Sequence, residues 1–224
     1  MTYSHNQTIK ALQIGIKEHC ERAYERYGRD FANCISYLEH YLFFLTITFA
    51  PRSVGVYANQ RRPHPLDEFA KYYFRLHRAV IGNSLDRKRL YQSATYAFAD
   101  FEGSKSAGVI DFTSCDFPHV HALMLVHPDY RDQLALSATL PIFRTTTMDS
   151  VVMSQFCSED KPLEKLIDYT MKGFAKAASK WGGSEDSGVD FLRQEFPKLG
   201  TKQTPWINLT INQKLAIERQ RRII

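Results

Sequence analysis

Hydrophobic positions along the chain switch between two periods, and the switches divide it into helices and strands. From Gln7 to Tyr27, Ile9, Leu12, Ile16 and Ala23 recur at near three-to-four spacing among charged residues. That pattern predicts an amphipathic helix packed beside the main domain, with Gly28 as its stop. Tyr41–Phe49 is aromatic and β-branched and is closed by Pro51. It predicts a strand that turns Phe43, Leu45, Ile47 and Phe49 to a core and Thr46 and Thr48 to the other face. Pro65-Leu66-Asp67-Glu68 opens a second helix, its acidic pair favoured by the helix dipole. Phe69, Tyr72, Tyr73, Leu76 and Val80 carry its apolar stripe as far as Gly82-Asn83, with His77 inside as a structural residue.

The next strand is expected over Leu90–Glu102, with Tyr96, Phe98, Asp100 and Glu102 on one face, followed by a Gly103–Gly108 turn. A third runs through Pro118-His119-Val120-His121-Ala122-Leu123-Met124-Leu125-Val126, where only the two histidines interrupt the apolar run. Joined by a short connection, these two strands are natural antiparallel neighbours, which would bring Asp100 and Glu102 near the histidines. Asp129–Leu140 reads as partly helical and Ile142–Phe156 as one or two strands. A helix is then expected from Asp160 as cap, with Pro162 in its first turn, to about Trp181. Gly182–Gly188 reads as a polar link, Trp206–Ile211 as a short strand, and the tail from Asn212 as helix-prone and basic. Helices and antiparallel strands in this mixture predict an α+β fold, a central antiparallel sheet flanked by helices.

Alternation along a strand puts His119 and His121 on one face, their Cα atoms about 6.6 Å apart at about 3.3 Å per residue, so that two imidazoles can share one ion. His127 falls on the same face but about 20 Å further along, which makes it a strand-end residue. Tyr169, Lys172 and Lys176 stand at i, i+3 and i+7. On one helix these positions share a face, so both ammonium groups can flank the phenol. Thr46 and Thr48 hint at a polar contact surface.

Composition adds little against this picture. The chain has 224 residues, 44% hydrophobic, enough for one domain with appendages or two small ones. No apolar window reaches the roughly 18 residues of a membrane span, and the N-terminus lacks signal-peptide regions, so a cytoplasmic location is expected. The four cysteines are scattered without a C-x-x-C pair, which speaks against a zinc ribbon or a thioredoxin-like motif. A net charge of +5 suits a phosphate-bearing partner without requiring one. Arg61, Arg62, Lys105 and the tail arginines suit a DNA backbone and a solvated surface equally well.

Three segments in order, Phe44-Leu45-Thr46-Ile47-Thr48-Phe49, Pro118-His119-Val120-His121-Ala122-Leu123 and Tyr169-Thr170-Met171-Lys172-Gly173-Phe174-Ala175-Lys176, resemble the three motifs of the HUH-type replication initiator endonucleases, the Rep proteins of rolling-circle elements. The resemblance spans roughly Tyr41 to Trp181. It implies the ferredoxin-like form of the α+β fold over residues 37–200, with a helical extension over 1–36 and a basic tail over 201–224. The family's third metal ligand is a Glu ahead of a glycine turn. Glu102-Gly103 matches it best, and Asp100 is the alternative. The family often has an aromatic after the motif's lysine, where this chain has Gly173. One tyrosine stands in the third motif, the single-tyrosine form.

What the resemblance implies is a nickase. Mn²⁺ or Mg²⁺, held by His119, His121 and Glu102, would act on the scissile phosphate as a Lewis acid. Tyr169 would cut one DNA strand, keep the 5′ phosphate as an ester and free a 3′ hydroxyl. A tyrosine is a poor nucleophile at neutral pH, and nearby Lys172 would ease its ionisation and offset phosphate charge. The expected partners are single-stranded origin DNA and a separate host helicase, because the chain has no G-x-x-x-x-G-K-[ST] loop. The threonine-bearing strand favours an initiator over a transposase or mobilisation relaxase. A rival of another class is a non-catalytic nucleic-acid-binding module that stacks bases on Tyr96 and Phe98.

Overall fold

The structure, a computed structural model, describes residues 5–50, 64–85, 87–101, 118–175 and 193–196. Two helices come first, α1 (His5–Tyr27) and α2 (Cys34–Tyr41), followed by β1 (Leu42–Phe49) and α3 (Pro65–Ile81). Then come β2 (Ala94–Phe101), β3 (Pro118–Leu125), α4 (Arg131–Ala138), β4 (Met148–Gln155), α5 (Leu163–Thr170) and β5 (Arg193–Phe196). The five strands form one sheet in the order β4-β1-β3-β2-β5, every neighbouring pair antiparallel. Strands β1 to β4 with the crossover helices α3 and α4 make a ferredoxin-like α+β unit, to which α1, α2, α5 and β5 are added. β3, the histidine strand, is central, and β2 is its antiparallel neighbour as the sequence predicts.

Each strand sends alternate residues to opposite faces. Leu45 and Ile47 of β1, Val120 and Ala122 of β3 and Ala97 and Ala99 of β2 make a face with no accessible surface. Helices α3 and α4 belong with it. Tyr72 of α3 donates its hydroxyl to the Ala138 carbonyl at 2.7 Å, Tyr73 donates to the Ser93 carbonyl at 2.8 Å, and the Arg131 guanidinium lies 5.6 Å from the Phe43 ring. Gly82 ends α3 at φ 105°, a conformation that costs a glycine little, and its N–H bonds the Arg78 carbonyl. His77 is buried with both ring nitrogens satisfied, Nδ1 donating to the Tyr73 carbonyl and Nε2 accepting from Ser93 N–H, the structural role expected of it.

Four local expectations are corrected. Helix α2 has no counterpart among the predicted elements. Asn33 and Ser36 cap each other's backbone N–H groups reciprocally, and this starts a helix directly before the strand. The boundary expected between residues 36 and 37 therefore falls inside α2. Ile16, Cys20 and Ala23 of α1 enter the same apolar core as the sheet, so α1 is part of the packed unit. Asp160 does not cap α5: Pro162 holds the cap position without a side-chain bond, and α5 stops at Thr170 rather than running to Trp181. A turn at Met171 separates it from a helical turn over 172–175. Strand β5, short and polar, lies in a stretch where no strand was expected. The expected strand at Trp206–Ile211 and the tail lie outside the described residues.

Candidate active site

The face opposite Leu45 and Ile47 carries the polar residues, and the register aligns them. One row across the sheet reads Val152, Thr46, His121, Phe98, and the next Ser150, Thr48, His119, Asp100. Directly opposed residues in antiparallel strands share a face and stand within side-chain reach. The first two motifs are thus adjacent because β1 and β3 pair, and Asp100 is brought beside His119 because β2 and β3 pair.

His121 is at the centre and 5% exposed. Its Nδ1 lies 3.3 Å from Thr46 Oγ1, and its Nε2 lies 3.5 Å from Asp100 Oδ2, an electrostatic contact longer than a good hydrogen bond. The threonine hydroxyl donates or accepts, so it supports either neutral tautomer of the imidazole. Thr46 therefore serves His121, while the Thr48 hydroxyl bonds Ser150 Oγ at 2.7 Å. His119 is half-buried, its ring centroid 6.3 Å from that of His121 and nearly parallel to it.

Helix α5 brings Tyr169, the first residue of the third motif, onto this face. The Tyr169 ring centroid stands 5.2 Å from that of His121, and Phe44 closes the triangle at 5.5 Å from His121 and 5.7 Å from Tyr169. Tyr169 is 40% exposed and so stays open to a ligand. Lys172 is not on one continuous helix face with Tyr169, as the i, i+3 spacing predicts, because the turn at Met171 intervenes. Its Nζ donates to Asp100 Oδ2 at 3.0 Å and lies 5.5 Å from the Tyr169 centroid. The break has two visible causes. Thr170 Oγ1 bonds back to the Leu166 carbonyl at 2.7 Å, a contact that bends helices. Gly173 is pressed onto β2, where a Cβ would meet Asp100 Oδ1 at 2.6 Å and the Ala99 carbonyl at 2.7 Å. The residue that departs from the family's motif is therefore the one that lets Lys172 reach Asp100.

A second lysine, absent from the expected set, lies closer to the phenol ring. Lys161 Nζ is 4.3 Å from the Tyr169 centroid, within cation–π range. It precedes α5 by two residues, in a turn rather than at helical spacing, and so no periodicity in the sequence marks it. Tyr96 and Phe98 are 7% and 2% exposed, covered by His19 of α1 and by Phe174, which corrects the expectation that they offer stacking surfaces. Arg61, Arg62, Glu102, Lys105 and Lys176 lie outside the described residues. His127 caps a 3₁₀ turn among Tyr27, Tyr91 and Tyr130, far from this chemistry, as the spacing predicts.

Among the described residues no three His, Cys, Asp or Glu side chains form a group able to hold a metal ion. The donors that are present fit one in kind. Two imidazoles share a face, one of them braced through its second nitrogen by a hydroxyl, the support that ligating histidines need. Asp100, 3% exposed, adds a carboxylate already shared between His121 and a cation. Among the described residues no helix is long and apolar enough to cross a membrane. A scan of protein-family models, a search of curated proteins and a search of solved structures each return no match for this chain.

Proposed function

We propose that this protein is a metal-dependent, site-specific single-strand DNA nickase and strand transferase with Tyr169 as nucleophile, acting to initiate rolling-circle replication in the cytoplasm, with a separate helicase as partner. The observation that supports this reading is the convergence of three distant segments: Phe44 and Thr46, His119 and His121, and Tyr169 on one sheet face. Nothing in packing alone requires a half-exposed tyrosine to sit against the one buried histidine of that row.

In this reading Tyr169 Oη attacks the phosphorus, forming a phosphotyrosine ester with the 5′ side while the P–O3′ bond breaks. The phenol proton leaves to solvent, and the departing 3′ oxygen takes one up. The ester conserves the bond energy, so rejoining needs no nucleotide cofactor. His119, His121 and either Asp100 or Glu102 would hold Mn²⁺ or Mg²⁺, which supplies Lewis-acid polarisation of the phosphate when bound. Thr46 keeps His121 in register, and Phe44 limits the swing of the Tyr169 ring.

Incubation with labelled single-stranded DNA and Mn²⁺ should give a covalent adduct on a denaturing gel. Tyr169→Phe should abolish it. His121→Ala should remove the metal dependence while DNA binding persists. A second reading, binding without cleavage, draws on the Lys172–Asp100 pair, which neutralises the carboxylate a metal would use. Wild-type protein that binds DNA but forms no adduct would establish that reading instead.

A further inference from the structure

We propose that Lys161 is the cation that binds the DNA phosphate at Tyr169, a role the three motifs would give to Lys172. This rests on the nickase reading. An attack on a phosphodiester needs positive charge beside the nucleophile to offset charge on the transferring group. Lys172 is poorly placed to supply it, because its ammonium is 3.0 Å from Oδ2 of the buried Asp100 and 5.5 Å from the Tyr169 ring centroid. A lysine held by a buried carboxylate has little net charge left to offer an incoming anion.

Lys161 has the opposite setting. Among the described residues no carboxylate pairs with it, it is half-buried, and its Nζ lies over the ring of Tyr169 at 4.3 Å. It is also held in place. The turn that carries it is tied to β1 by Phe156 N–H on the Leu42 carbonyl at 2.9 Å. It is tied to α2 by Glu39, whose Oε1 accepts from Ser158 N–H at 3.1 Å and from Ser158 Oγ at 2.5 Å. Those bonds hold the Glu39 carboxyl below the usual range, so it stays ionised and keeps its grip. Lys161 N–H closes the turn on the Cys157 carbonyl at 3.1 Å. The side of Tyr169 toward β4 is open, with Val152 59% exposed at the end of the His121 row. A single strand crossing from that edge meets Lys161 and the phenol together.

The test measures how the affinity for a fluorescein-labelled single-stranded DNA of mixed sequence falls with salt, for wild type, Lys161→Met, Lys161→Arg and Lys165→Met. Lys165 is an exposed lysine on α5 that controls for loss of one surface charge. Each phosphate contact on a single strand contributes about 0.7 to the slope of log affinity against log salt. Lys161→Met should lose about that much and Lys161→Arg should restore it, while Lys165→Met keeps the wild-type slope. With Mn²⁺ and a random-sequence library, Lys161→Met should slow adduct formation on the order of tenfold or more, again with rescue by arginine. An unchanged slope, or one lowered equally by Lys165→Met, overturns the assignment. Wild type that forms no adduct on any library sequence defeats the nickase reading, and the salt slope still decides whether Lys161 contacts phosphate.

Discussion

The two faces of the sheet are built from the same strands and differ in nearly every other respect. The face of Leu45, Ile47, Val120 and Ala122 is apolar, wholly buried and closed by α3 and α4. Among the described residues the face of Thr46, His121 and Asp100 is covered over β2 by α1 and the segment after α5 and over β3 by Tyr169 of α5, and it opens toward β4, where Val152 is exposed. The first face can be filled by any residues of suitable volume. The second depends on cross-strand register, because a shift of one residue would send both histidines into the core. Stability and chemistry are thus divided between the two sides of a single layer.

Substitutions can test that division. Leu45→Ala on the closed face should destabilise the fold by about 2–5 kcal/mol in urea unfolding, the usual cost of a cavity at a fully buried site. A loss below about 1 kcal/mol would mean the two faces are not so different. Gly173→Ala probes the covered part of the reactive face. The new Cβ would strike β2 backbone and Asp100, so about 1–3 kcal/mol should be lost to overpacking. On the proposed nickase reading, DNA cleavage should fall with it, because the added Cβ displaces Asp100 and with it Lys172.

Both faces also carry a buried neutral histidine. Burial lowers His77, on α3, to about 4, against a partial opposing effect of its bond to the Tyr73 carbonyl. Burial, helped by the Arg22 charge, lowers His19, on α1, to about 3. As pH falls below 6.5 the unfolded chain takes up protons that the folded chain refuses. Stability is therefore full above 6.5 and should decline toward pH 4, by up to about 1.4 kcal/mol per pH unit for each histidine. His77→Gln should flatten the curve over that window by one histidine's share, and an unaltered slope would remove His77 from the account. The smallest stability change belongs to Tyr169→Phe. At a half-exposed ring whose hydroxyl has no hydrogen bond among the described residues, it should stay within about 0.5 kcal/mol of wild type, while on the proposed nickase reading the adduct should be lost.

Much of the arrangement was legible in the residues because it rests on period and pairing. The alternation in 42–49 placed Phe43, Leu45 and Ile47 opposite the threonines, and the apolar run through Val120 and Ala122 marked the central strand. Helix α3 was bounded by Pro65 and Gly82. Helix α2 escapes the hydrophobic pattern because eight residues are too few to show a helical period, although Asn33 and Ser36 carry a capping signal. The rival expectation that Tyr96 and Phe98 offer stacking surfaces fails because a strand's period says which face a ring takes and not what covers that face.

The site divides along the same line. Local spacing by itself determined that His119 and His121 share a face, because strand geometry allows nothing else. Whether a cation stands by Tyr169, and which one, is a question of contacts between segments far apart in the chain. Gly173 lies close against β2 and Lys172 turns to Asp100, while a turn pinned by Glu39 holds Lys161 over the phenol. A helical repeat assumes an unbroken helix, and only packing against the sheet decided where this one stops.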